Sequence, residues 1–139
     1  MYDTLIAQIK ATLESIGAIK VVYAHPVTDV ANYPAVIFFP DAFQNTFQST
    51  ADNSKVYRFH MYVVVGTNQK DNTSIFETVL PKAVDAVLAA FDAGWDGGMV
   101  GGHRVWLLVN SGLWSMSVTQ SGIEAQAELT LEIRTTTTN

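Results

Sequence analysis

Apolar positions along this chain alternate between a helical and a strand rhythm. Leu5, Ile6, Ile9, Leu13 and Ile16 recur at helical spacing and predict an amphipathic helix over residues 4–16. Asp3 or Thr4 is placed to cap its start, and Gly17 stands where a left-handed residue would end it. A short strand is expected over 18–24, stopped by His25-Pro26, and a second over 33–39, stopped by Pro40-Asp41. The unbroken run Ala35-Val36-Ile37-Phe38-Phe39 predicts burial on both faces of that strand. In a third strand, 56–65, Tyr57, Phe59, Met61 and Val63 share one face and Arg58, His60 and Tyr62 the other. Ser74 and Glu77 fit a capping box opening a second helix to about Phe91, with a stripe of Phe76, Leu80, Val84, Val87, Leu88 and Phe91. Pro81 inside that pattern predicts a kink or a late start.

The C-terminal third reads as strands. Residues 103–109 and 113–119 form two, joined by a turn at Asn110-Ser111-Gly112. From Ile123 to Arg134, apolar Ile123, Ala125, Ala127, Leu129, Leu131 and Ile133 alternate with polar residues, as in a half-buried antiparallel strand with one wet face. Residues 135–139 are expected to fray. The sum is one α+β domain over 1–139, a mixed, mainly antiparallel β-sheet packed by two α-helices. Ile9, Leu13, Val84, Leu88 and Phe91 should face Val36, Phe38, Phe59, Met61, Leu129 and Leu131.

Two segments break the rhythm. Residues 41–55 are polar and too long for a tight turn, so they read as a loop. Phe43 and Phe47 interrupt them and either pack back onto the domain or dock on a partner, with Gln44, Gln48 and Lys55 beside them. Residues 92–102 are glycine-rich and read as a flexible turn.

Composition sharpens the picture. Only 15% of the 139 residues are charged while 48% are hydrophobic. Charge is usually about 25%, so some apolar surface is expected to be covered by another chain. The net charge of −5, with eight Lys and Arg spread along the chain, argues against tight nucleic-acid binding, though not against a wall that DNA slides past. With no Cys, disulfides, zinc–thiolate sites and thiol nucleophiles are excluded. Met1-Tyr2-Asp3-Thr4 lacks the basic start and apolar run of a signal peptide, and no apolar run approaches the ~20 residues of a membrane helix. The chain is therefore expected in cytoplasm, or in a particle assembled there, and not in a membrane.

Candidate chemistry is sparse. His25, His60 and His103 show no metal-ligand spacing, and no cofactor is expected. The glycines of Gly94-Trp95-Asp96-Gly97-Gly98 follow a helix and open a strand, the reverse of a phosphate loop. Asp92 and Asp96 would need a shared cleft to act as an acid–base pair. Ser111 lies between strands, not on a nucleophile elbow. Trp95, Trp106 and Trp114 suit core or interface anchors better than a ligand cage. The expectation is a structural protein, not an enzyme.

The layout resembles the tail terminator, or tail completion, proteins of long-tailed bacteriophages. The residues carrying the resemblance are the opening helix leading into Ile19-Lys20-Val21-Val22-Tyr23, then Tyr33-Pro34-Ala35-Val36-Ile37, the long strand from Lys55 to Val65 and the alternating C-terminal strand. The resemblance implies a homo-oligomeric ring, usually of six copies, on the head-proximal end of the tail tube. Such a ring ends tube growth and offers a surface for head–tail joining. Its partners would be the tail tube protein and a head-completion or connector protein, with DNA only passing through. It would be a virion component assembled in host cytoplasm. Phe43, Gln44, Phe47, Gln48, Lys55, Trp95 and Trp106 are the expected assembly interface. The alternatives are another neck protein, a head-closure or connector-adaptor component, or a small-ligand binding domain sited between sheet and helices, near Arg58, His60 and Tyr62.

Overall fold

A computed structural model of the chain describes residues 1–27, 30–47, 52–67, 78–100, 102–119 and 122–138. Among them are two helices, α1 (Tyr2–Glu14) and α2 (Leu80–Ala93). The strands are β1 (Val21–Tyr23), β2 (Ala35–Phe47), β3 (Asp52–Thr67), β4 (Asp96–Val100), β5 (His103–Thr119) and β6 (Gly122–Thr138). They form one sheet in the order β1-β2-β3-β6-β5-β4. Every pairing is antiparallel except β1 with β2. The fold is therefore the expected α+β domain.

Both helices pack on one face of the sheet. Leu5, Ile9 and Leu13 of α1 and Leu80, Val84, Val87 and Phe91 of α2 are buried. They meet the alternate residues of the long central strands, among them Phe38, Phe59, Met61, Leu131 and Ile133. Leu88 belongs to this stripe yet is only half-buried, because the cleft described below opens beside it. On the opposite face Ala35, Ile37 and Val64 are also buried. This is the two-sided burial that the apolar run at 35–39 implied. Nearby, the Tyr33 ring lies so close to Gly66 that a Cβ there would come 2.8 Å from the ring.

Several local expectations need correction. Helix α1 begins at Tyr2, earlier than residue 4, with Met1 as its N-cap and no side-chain capping bond. Its end is closed by backbone bonds, from Ser15 N–H to Ala11 and from Ile16 N–H to Leu13, and Gly17 is not left-handed. The capping box at Ser74 and Glu77 lies outside the described residues. Pro81 instead stands in the first turn of α2, where a missing N–H costs nothing. Within the segment 41–55, residues 41–47 and 52–55 are strand and not loop: β2 continues through a bulge between Pro40 and Ala42 to Phe47, and β3 starts at Asp52. Asn110-Ser111-Gly112 is not a turn but part of one long strand, with a bulge between Val109 and Ser111. The C-terminus does not fray at 135: β6 runs to Thr138, with Thr135 buried and its hydroxyl donating to the Arg104 carbonyl at 2.8 Å.

Asp96–Val100 of the glycine-rich stretch is likewise a strand. Gly97 of β4 lies against the core, where an added Cβ would sit 2.5 Å from both Leu107 Cδ1 and Val105 Cγ2. Its carbonyl accepts a hydrogen bond from Gln8 Nε2 of α1 at 3.0 Å. Glycine is needed here for close approach, not for flexibility. Gly97→Ala is expected to cost about 1–3 kcal/mol by overpacking, while Ala at Gly17, which has open space around it, should lie within about 0.5 kcal/mol of neutral. Chemical denaturation of the two variants separates them.

Candidate functional site

The helix-free face of the sheet carries a polar seam. Its groups come from β3 (Arg58, His60, Tyr62), β6 (Glu128, Glu132, Arg134) and β2 (Phe39, Asp41), since alternate residues of adjacent strands share a face. Glu132 is 5% exposed. Its carboxylate forms an ion pair with Arg58 Nη2 at 3.1 Å and accepts from Arg134 Nε and Nη2 at 3.2 and 3.1 Å. These two arginines offset the desolvation of that carboxylate. His60 Nε2 lies 3.1 Å from Asp41 Oδ1. Its Nδ1 is 3.3 Å from Glu128 Oε1 but without the geometry of a hydrogen bond. The imidazole stacks on Tyr62, with ring centres 6.1 Å apart, and is tilted against Phe39. Glu132 is thus paired with both arginines, whereas His60 Nδ1 is buried without a hydrogen-bond partner.

Three tyrosines give the fold a base-side titration. Burial holds the Tyr62 hydroxyl above its ordinary value, and the Glu128 carboxylate, which accepts its proton at 3.5 Å, and Asp41 add to the rise. Burial likewise raises Tyr57, and raises Tyr2 with help from Tyr57, whose ring it meets edge-on. A raised folded-state pKa means that the folded protein binds the proton more tightly than the unfolded chain. The stability from these groups is fully present below the ordinary tyrosine value of about 10 and is lost as pH rises through the folded-state values. Thermal melts should fall on that alkaline side, and tyrosinate absorbance should develop at higher pH in the folded than in the urea-unfolded protein.

The remaining candidates for chemistry lie apart. His25 is exposed, its Nδ1 3.1 Å from the Pro26 carbonyl oxygen. His103 opens β5 on the far side of the sheet. Asp96 pairs with Arg104 and accepts from the Gly98 N–H at 3.0 Å, while Asp92 is exposed near the end of α2. Among the described residues no three His, Asp or Glu side chains converge on a metal-sized site. No described helix is long and apolar enough to cross a membrane.

Exposed apolar surface is concentrated elsewhere. Trp95, Met99, Trp106, Leu108, Leu113, Trp114 and Met116 are all exposed, Leu113 at 70%. All lie on or next to β4 and β5. Strand β4 covers β5 only as far as Trp106, and the Leu107 N–H still reaches the Trp95 carbonyl at 2.8 Å. From Leu108 onward no described strand covers the outer edge of β5. Edge strands are normally guarded by Lys, Pro or inward charges. Apart from the bulge, this one has none of these devices, for no charged residue occurs from Val105 to Ile123. Beside it, on the helix-bearing face, a cleft of about 280 Å³ opens between α2 and β5, lined by Val84, Leu88, Val109, Gly112, Trp114 and Leu129.

The interface residues expected from sequence fall into two groups on opposite sides of the sheet. Phe43, 71% exposed, lines a smaller cleft with Gln44, Lys55, Tyr2 and Tyr57 on the β2–β3 side. Trp95 and Trp106 belong to the β4–β5 surface. Phe47 ends β2, and Gln48 lies outside the described residues. Sequence reasoning missed Leu108, Leu113, Met116 and the cleft at Leu88. The charge-free run from 105 to 123 was the signal that could have found them.

No protein-family model matches this chain, and no curated protein does. Its fold does have solved counterparts: 32 chains match it. One of them, which bears no functional name, superposes with a TM-score of 0.51 at 12% identity, covering 96% of this chain and 92% of its own. Likeness at that identity concerns the fold alone.

Proposed function

We propose that this protein is a structural subunit of a phage neck or tail, forming a ring at the head-proximal end of the tail tube that ends tube growth and receives the head. The observation that carries the reading is the apolar, charge-free and uncovered edge of β5, a surface suited to permanent contact with another chain. The element layout, similar to that of tail terminators over nearly the whole chain, supplies the kind of assembly. The net charge of −5 suits a channel wall that lets DNA pass without gripping it. In the polar seam Glu132 is held by Arg58 and Arg134 and His60 Nε2 faces Asp41, pairings that suit a structural role.

The test is a phage from which this chain has been deleted. Micrographs of its lysate should show filled heads beside unjoined tails of abnormal length, and supplying the chain from a plasmid should restore virions. A second reading, a head-closure or connector-adaptor component, is favoured by the long paired β5 and β6. It predicts unjoined tails of normal length. Normal virions from the deletion would reject both.

A further inference from the structure

We infer that the knob and the cleft on opposite sides of this chain are two halves of one contact: the β2 edge of one copy continues the sheet of the next copy along β5, and Phe43 enters the α2–β5 cleft over Gly112. This deepens the ring reading and rests on it.

The topology sets up the match. Neighbouring long strands alternate in direction from β2 through β3 and β6 to β5. A neighbour's β2 placed beside β5 by simple repetition of the sheet would therefore run antiparallel to it. The short outer strands leave room. On β2, β1 covers only Ala35–Ile37; on β5, β4 covers only the beginning. In an antiparallel arrangement those covers fall at opposite ends of the new pair, so neither blocks it. Pro40 brings no N–H and a bulge follows it, and no described strand pairs with the outer edge of residues 42–47, which present the donors and acceptors of β2. On β5 the matching free stretch begins at Leu108.

Side-chain alternation then fixes the facing. Phe43 is opposite Tyr57, which faces the helices, so Phe43 is on the helix-bearing face. Gly112 is opposite Leu129 on that same face, and the cleft opens there. Cross-strand neighbours must share a face. With Phe43 opposite Gly112, Gln44 falls opposite Ser111 and Ala42 opposite Leu113. Gly112 has no side chain, and a Cβ on it would lie 2.7 Å from Leu129 Cδ2, so it forms the floor on which an aromatic ring can rest. Charge agrees with this pairing. Lys55 lines the same pocket as Phe43, while exposed Asp85 stands on α2 between the cleft residues Val84 and Leu88.

The occupant is therefore a second copy placed head to tail. An exposed apolar knob and an apolar hole at opposite edges of one molecule generate a heterologous contact, which closes into a ring when the rotation permits. A two-fold contact would instead pair β5 with β5 and leave Phe43 exposed.

Because the protein has no cysteine, engineered pairs report this contact cleanly. Gln44→Cys and Ser111→Cys are directly opposite in the proposed pair, as are Ala42→Cys and Leu113→Cys, and all four positions are exposed. Opposite Cα atoms in antiparallel strands lie about 4.5–5.5 Å apart, within disulfide range. Under mild oxidation each single variant should stay uncrosslinked. A mixture of Gln44→Cys and Ser111→Cys proteins should form the mixed dimer, and the double variant should give a ladder ending at the closed ring. Self-dimers of Ser111→Cys or Leu113→Cys alone would overturn the inference in favour of a two-fold β5 contact. An assembled ring in which neither pair crosslinks would overturn the inference and leave the ring standing. Crosslinked rings together with normal virions from the deletion phage would sink the tail reading and leave the contact standing. A protein monomeric at every concentration, with no crosslinks, would end the inference itself.

Discussion

Phe59→Ala is expected to cost about 3–5 kcal/mol of folding stability, a large part of what a domain of this size has to lose. Phe59 is fully buried at the centre of β3, with its ring 6.3 Å from that of Phe38 and edge-on to Tyr2 of α1. It joins the first helix to the middle of the sheet, so its removal leaves a cavity that neither can fill without moving. Leu88→Ala should cost less, below the about 2–5 kcal/mol of a fully buried leucine, because Leu88 already borders open space in the α2–β5 cleft. Urea unfolding of the two variants, with unchanged slopes, measures the difference. Equal costs would place Leu88 in the core and close the cleft.

That contrast follows from how the sheet exceeds its helices. Where α1 and α2 cover the strands, one face is buried and the apolar alternation is plain. Ala125–Ile133 and Tyr57–Val63 were legible for that reason, and the unbroken run at 35–38 because both its faces are buried. Beyond the helices neither face has a core to pattern against. Asp41–Phe47 and Asn110–Gly112 therefore carry the residues of loops and turns, although backbone pairing makes them strands. Pro40 added a false stop, since a bulge accommodates it on an edge. Gly97 and Gly98 added another: one is glycine because of close packing, the other because its φ is +68°. The candidate interface was half legible by the same logic. An aromatic in a polar run marks Phe43, whereas Leu113 and Met116 look like ordinary strand residues until β5 is seen to have no described neighbour beyond β4.

Trp114→Ala is expected to weaken self-association by about 2 kcal/mol or more, roughly 30-fold in dissociation constant, with little effect on folding. The indole is 58% exposed and borders the cleft beside the uncovered edge, so it contributes little to the core. In a subunit contact it would be a buried aromatic anchor, the residue type that dominates interface energetics. Leu113→Lys should act in the same direction by guarding the edge with a charge. Sedimentation velocity over a concentration series reads both effects. Unchanged assembly in both variants would remove β5 from the interface.

Electron microscopy of the purified protein, alone and mixed with phage tail tubes, tests the proposed ring most directly. The account predicts closed rings of about six copies, each joined head to tail, and a single ring seated at one end of each tube. Rings absent at every concentration, two-fold dimers in their place, or tubes whose ends stay bare in the presence of excess protein would contradict it.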